Sequence, residues 1–371
     1  MNLQIEIDLQ RQQINTDSYN MSIGEIVSVY QNNEMDLHPE FQRFYRWTDQ
    51  QKSNLIESIL LGIPIPPIFV SQRKDGVWDV IDGLQRLSTI LQFLGLLKDE
   101  EGGLVAPLVL NKTRYLPALE GMVWENWKDA YAENKVFDPA QRLLIKRSKL
   151  GVTIILRESD EKSKYELFQR LNTGGTQLSD QEVRNCILVM VNRDFYKWLL
   201  NLSQNREFLT CLPLTDRAIE EKYDMELALR FVILRKLNEA ELKDIGDIGE
   251  FLSEKAIELA SDKNFDYAKE EAAFLYVFQT LAKTLGSESF RKFDIDRGKF
   301  LGGFSAAAFE LVAVGIGTSF EANPAKPIDD LEKKIKDVWT NPDFLRNSGS
   351  GVRANQRLPR VVPLGRQIFS E

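Results

Sequence analysis

Histidine is almost missing from this chain: among 371 residues only His38 carries an imidazole. A Ser-His-Asp triad, a histidine-assisted metal nuclease and a histidine-rich metal site all depend on that ring, so none is expected to be built from this chain alone. Cysteine is nearly as scarce. Cys186 and Cys211 make neither a disulfide framework nor a zinc-ligand set, and they fit a reducing cytosol. No GxxxxGK[ST] segment occurs, which argues against an ordinary P-loop ATPase. No apolar run reaches the roughly 20 residues needed to cross a bilayer, and the opening MNLQIEIDLQRQQ lacks a secretory core. The expectation is a cytoplasmic protein without a membrane partner. Basic charge is not in excess either. The formal net charge is −8, although a local basic patch would still suit DNA.

What remains has ordinary globular composition, 43% hydrophobic and 27% charged, over a length that suits two or three domains. Strand and helix patterns mix over residues 1–190, and helical patterns dominate 191–371. The predicted fold class is α+β, a small mixed sheet followed by a mainly α-helical domain.

The stretch around which the first domain is organised is VWDVIDGLQRLST, Val77–Thr89. Val77, Val80 and Ile81 predict a short buried strand, and Gly83 a turn. Leu87, Ile90, Leu91 and Leu94 recur at helical spacing, so a helix is expected to start near Gln85. Asp82, Gln85 and Arg86 then crowd one strand–turn–helix junction. A helix N-terminus offers unpaired N–H groups and partial positive charge, which suit phosphate. Arg86 adds a charge-assisted contact, Gln85 a neutral one, and Asp82 a metal ligand or base. The competing account is an ordinary turn with Arg86 in solvent.

The flanking sequence converges on the same turn. Met21–Asn33 predicts a short helix and Met35–Leu37 a short strand. PEFQRFYRW, Pro39–Trp47, sets Gln42, Arg43 and Arg46 among four aromatics, for cation–π and phosphate contacts or for plain packing. Thr48 and Gln51 stand at capping-box spacing, and Gly62 is placed to end the helix they open. Ile63–Gln72 becomes a strand, and Lys74-Asp75-Gly76 a hairpin turn. A loop with a short strand is expected over Leu97–Leu116, an irregular or helical insertion over Tyr115–Ala140, and a strand over Gly151–Leu156.

In SKYELFQRLNTGGTQLSDQEVRN, Ser163/Glu166 and Ser179/Glu182 both have capping-box spacing. Two helices joined by Asn172-Thr173-Gly174-Gly175 follow, and the glycines allow a close backbone approach to a ligand or merely a helix stop. Further helices are expected over Asp216–Lys236, Asp247–Ala260, Tyr267–Leu285, Phe300–Phe320 and Ile328–Trp339. Leu345–Glu371 carries Arg346, Arg353, Arg357, Arg360 and Arg366 against one acid, broken by glycine and proline. It reads as a basic loop or arm for a nucleic-acid backbone, or as a strap across the helical domain.

The order PEFQRFYRW, GIPIPPIFV, DGLQRLST and FQRLNTGGTQLSDQEVRN resembles the N-terminal domains of GmrSD-type modification-dependent restriction endonucleases, relatives of ParB and sulfiredoxin-like domains. Asp224 and Glu226 in YDMELALRF and the arginine-rich ending are similar too. One glutamine of the family's Asp-Gly-Gln-Gln-Arg motif is Leu84 here. A C-terminal His-Asn-His nuclease domain, frequent in that family, has no counterpart in this sequence.

The resemblance implies a ParB/sulfiredoxin-like domain that binds, and is expected to hydrolyse, a nucleoside triphosphate while sensing DNA in defence against phage. Asp82, Gln85 and Arg86 take the catalytic places, with Asp82 also holding Mg²⁺. Gln42, Arg43, Gly83, Ser88, Asn172, Gly174 and Gly175 are assigned to the nucleotide, and Arg353, Arg357 and Arg360 to DNA. A separate nuclease subunit and self-association are further expected partners. Two other accounts stay open: a non-catalytic DNA-binding module that recruits a nuclease, and a ParB-like metal-dependent nuclease acting at Asp82.

Overall fold

A computed structural model describes residues 3–4, 15–37, 47–99, 101–126, 135–156, 179–324, 328–349 and 351–370. The chain divides into two compact units, Met1–Gln177 and Leu178–Glu371. Together they give the α+β class, with the strands of the mixed sheet in the first unit and helices dominating the second.

The first unit runs β1 (Thr16–Ser22), α1 (Ile23–Gln31), β2 (Met35–Asp36), α2 (Asp49–Leu61), β3 (Ile68–Gln72), β4 (Trp78–Asp82), α3 (Leu84–Phe93), β5 (Met122–Val123), β6 (Lys135–Val136), α4 (Pro139–Arg147) and β7 (Lys149–Ile155). Five strands form the sheet in the order β1-β7-β3-β4-β2. The β1–β7 and β3–β4 pairs are antiparallel, and the β3–β7 and β2–β4 pairs are parallel. In the centre, Ile68 lies opposite Val152 and Val70 opposite both Ile154 and Val80. All five are buried, as alternate residues on one face of a sheet should be when helices cover it. Ile56, Ile59, Leu87, Ile90, Leu91, Leu94 and Trp124 pack into the same core.

Local sequence sets the helix ends. Thr48 N–H donates to Gln51 Oε1 at 2.9 Å and Gln51 N–H returns to Thr48 Oγ1 at 3.3 Å, the capping box that their spacing predicts. Gly62 closes α2 at φ 67°. The helix expected over Met21–Asn33 begins instead at Ile23, because Met21 and Ser22 end β1 opposite Leu150 and Lys149. The Tyr115–Ala140 insertion holds a 3-10 turn at Pro117–Leu119 and the short β5–β6 pair.

The second unit contains α5 (Asp180–Val191), α6 (Arg193–Ser203), α7 (Arg206–Thr210), α8 (Asp216–Glu220), α9 (Tyr223–Lys236), α10 (Glu239–Lys243), α11 (Ile248–Ser261) and α12 (Tyr267–Thr284). The hairpin β8 (Lys292–Asp294) and β9 (Lys299–Leu301) follows, then α13 (Ala306–Ala322), α14 (Leu331–Val338), α15 (Pro342–Asn347) and α16 (Ala354–Ser370). Three expectations are corrected here. Asp216–Lys236 is two helices, not one, because Lys222 turns the chain at φ 61°. Phe300 belongs to the hairpin, and the helix after it waits for the Ser305 cap. The C-terminal basic stretch is no loop or arm. Most of it is α16, with Leu358, Val361, Val362, Gly365 and Phe369 buried at helical spacing.

Candidate functional site at the strand–turn–helix junction

The junction is shaped by a fault in the sheet. Val70 pairs with Val80 but Phe69 pairs with Asp82, so the register shifts and Ile81 is the extra residue. Such a bulge bends the strand end and re-aims the side chain beyond it. Asp82 is that side chain, and it stays 43% exposed at the end of an otherwise buried strand. The other β4 carboxylate differs sharply. Asp79 is buried, and Arg73 Nε donates to it at 2.9 Å while Arg73 Nη2 reaches Asp36 at 2.8 Å. Burial works to lower the Arg73 pKa, but the bonds to Asp79 and Asp36 outweigh it and raise it further. Asp79 is therefore committed to the fold, and Asp82 is the accessible acid.

Gly83 makes the turn. Its φ of 95° lies in the left-handed region, and a Cβ there would stand 2.5 Å from Ile68 Cγ2 and 3.1 Å from Arg86 Nη2. Helix α3 starts at the next residue. Its cap is this glycine, so the cap residue itself offers no side chain to the N–H groups of its first turn, unlike α1 and α2, which carry capping boxes. Leu87, Ile90 and Leu91 fix the helix in the core, and Leu84, the departure from the family motif, packs partly buried against that core.

With the helix so anchored, Arg86 folds back over the turn. Its Nη2 donates to Asp82 Oδ2 at 2.8 Å, an i,i+4 ion pair whose arginine side chain is only 12% exposed. Thr89 Oγ1 donates to the Gln85 carbonyl at 2.7 Å. The Ser88 hydroxyl is fully buried, with no hydrogen-bond partner among the described residues. Asp82, Gly83, Gln85, Arg86 and Ser88 thus lie within seven successive residues, from the end of β4 through the glycine turn into the start of α3. Gln42, Arg43, Asn172, Gly174 and Gly175 lie outside the described residues. Among the described residues no group of three or more histidine, cysteine or acidic side chains is placed to hold a metal, so Asp82 offers a single carboxylate. Ile68 is the contributor that sequence reasoning missed; its signal was only that of any buried strand residue.

The three arginines assigned to DNA part company. Arg353 and Arg360 are exposed. Arg357 is not available: its Nε and Nη2 donate to the two oxygens of fully buried Glu310, at 2.6 and 2.9 Å. That pair belongs to a buried ionic chain within the second unit. Arg230 Nη1 donates to Glu310 Oε1 at 2.8 Å and its Nη2 to Glu226 Oε1 at 2.8 Å, while Arg184 Nη1 stands 3.5 Å from Glu226 Oε2. Arg184 and Glu226 come from two of the sequence motifs, and here they join helices. Beside them, burial pushes the Asp224 carboxyl up.

A bulged mixed sheet brings an acid, a left-handed glycine and an arginine to a glycine-capped helix start, and helix starts as a class suit anions. The particular family follows from comparison. The model of the GmrSD restriction endonuclease, N-terminal domain, matches residues 23–189, from the start of α1 into α5. Over those residues, just under half of its length, the chain is similar to the N-terminal domain of that restriction-endonuclease family. No match was found among curated proteins or among solved structures.

Proposed function

We propose that this chain is a nucleotide-binding, NTP-hydrolysing and DNA-sensing component of a restriction system that acts against phage. The observation that carries it is the meeting of Arg86 and Asp82 at Gly83, the glycine cap from which α3 starts. An anion bound there meets backbone donors, a helix dipole and a guanidinium together. Phosphoryl transfer needs chiefly positioning and charge neutralisation, so a site without histidine is chemically adequate. Asp82 suits Mg²⁺ shared with phosphate oxygens, since that ion is commonly held by one or two carboxylates plus the nucleotide. Gly83 and Ser88 are assigned to the same cradle by this proposal. Gln42, Arg43, Asn172, Gly174 and Gly175 are proposed to close it, and a ParB/sulfiredoxin-like ancestry is proposed for the sheet.

The test is binding and phosphate release with ATP, GTP, CTP and UTP, with and without DNA. Wild type is expected to bind at least one nucleotide, and Arg86→Ala to weaken it about tenfold or more, the scale of a lost charge-assisted contact. Equal affinity in the two proteins would remove the proposed phosphate grip.

A second reading, a non-catalytic DNA module that recruits a separate nuclease, is favoured by exposed Arg353 and Arg360 on or beside α16. Replacing both with alanine should flatten the log–log salt dependence of DNA binding by about two. DNA binding without nucleotide turnover would favour this reading over the first.

A further inference from the structure

Arg86 does not wait with an empty hand. Its guanidinium rests on Asp82 at 2.8 Å, tucked beneath Gly83, where a Cβ would come within 3.1 Å of Nη2. The acid, the glycine and the arginine close a small ring through the helix start. Asp82 keeps 43% of its side chain exposed, so the ring opens to solvent on the acid's side.

We infer that Asp82 is an internal anion that occupies Arg86 and holds down the affinity of the site for phosphate, so that a nucleotide binds only by displacing or crowding that carboxylate. This rests on the proposed phosphate grip of Arg86. Two outcomes are open to an arriving phosphate, and both engage Asp82. If the phosphate takes the Nη2 donor, the ion pair breaks. If it uses other N–H groups of the guanidinium, which has five, the phosphate sits beside a carboxylate of like charge. In either case the carboxylate opposes binding. A carboxylate freed by that exchange is then available for work on the bound nucleotide, which it is not while it neutralises Arg86. The arrangement couples occupancy to exposure of the acid, and such coupling is reciprocal: what removes Asp82 from Arg86 must strengthen phosphate binding.

An acid whose part is to hold metal or water for the nucleotide, and nothing else, makes a different demand. Removing its charge then weakens binding in the presence of metal and leaves it unchanged without metal.

The experiment measures binding of ATP, GTP, CTP and UTP in EDTA to wild type, Arg86→Ala, Asp82→Asn and Asp82→Ser, with thermal melting of each protein as a check on folding. Both Asp82 variants are expected to bind about two- to fivefold more tightly than wild type, the range of a half-exposed ion pair. The double variant Asp82→Asn/Arg86→Ala is expected to bind as weakly as Arg86→Ala alone. If Arg86→Ala binds as wild type does, the site assignment itself fails. If Arg86→Ala weakens binding while both Asp82 variants bind equally or more weakly than wild type, the grip stands and the internal-anion role is overturned.

Discussion

Gly83 is the residue on which the junction turns. No other residue supplies its φ of 95° without strain, and none leaves room for Ile68. Gly83→Ala is expected to cost about 2–4 kcal/mol, the sum of left-handed strain and overpacking, read as a lower denaturation midpoint. Cys186 and Cys211 make a separate residue-scale prediction. Burial pushes both thiols up, Cys211 to about 12. They should ignore thiol reagents at neutral pH until the protein unfolds. A thiol whose folded pKa is raised stays protonated in the native state after the unfolded chain has lost its proton near pH 8.5. Stability should then fall as pH rises above about 8.5, by up to about 1.4 kcal/mol per pH unit for each thiol, measured by denaturant titration across pH.

At the scale of elements, α13 and α16 meet backbone to backbone. A Cβ on Gly315 would stand 2.5 Å from the Gly365 carbonyl oxygen, and one on Gly365 would strike Leu311. Gly365→Ala is expected to push the helices apart and lower stability by about 1–3 kcal/mol, whereas alanine at exposed Gln367 should change little. Helix α16 also shows where sequence reading stops. Pro359 and Pro363 sit inside it and argue for a broken segment, yet five buried residues at helical spacing and the glycine contact with α13 hold it. Tertiary packing overrode the local signal. Edge strand β1 was hidden for the opposite reason. Thr16 to Asn20 are polar and exposed, so no alternation marks them, and only pairing with β7 makes them a strand. Capping boxes, by contrast, are local chemistry, and Thr48/Gln51 and Ser179/Glu182 appear where their spacing placed them.

In the whole molecule, each unit organises its charge differently. The second unit buries Arg184, Glu226, Arg230, Glu310 and Arg357 in one chain that ties α5, α9, α13 and α16. Removing one member leaves partners desolvated and uncompensated. Glu310→Ala should therefore destabilise by about 3–5 kcal/mol, and a double-mutant cycle with Arg357→Ala should show strong coupling. That chain took Arg357 out of the set assigned to DNA, because a count of arginines along a sequence carries no information about which of them faces an acid. In the first unit the ion pair of the candidate site, Asp82 with Arg86, lies at the strand–turn–helix junction. Asp82, Gly83 and Arg86 were legible because three adjacent features, a short apolar run, a glycine and a helical repeat, fix the geometry locally. The fold-back of Arg86 onto Asp82 has an i,i+4 spacing that was visible, but the guanidinium lies where a Cβ on residue 83 would crowd it, so it needs the glycine.

The most direct measurement is nucleotide affinity of wild type against Arg86→Ala, across the four nucleoside triphosphates. Binding by wild type and its loss by about tenfold or more in the variant is the predicted result. Identical affinities, or no binding by either protein, would contradict an anion site at the start of α3.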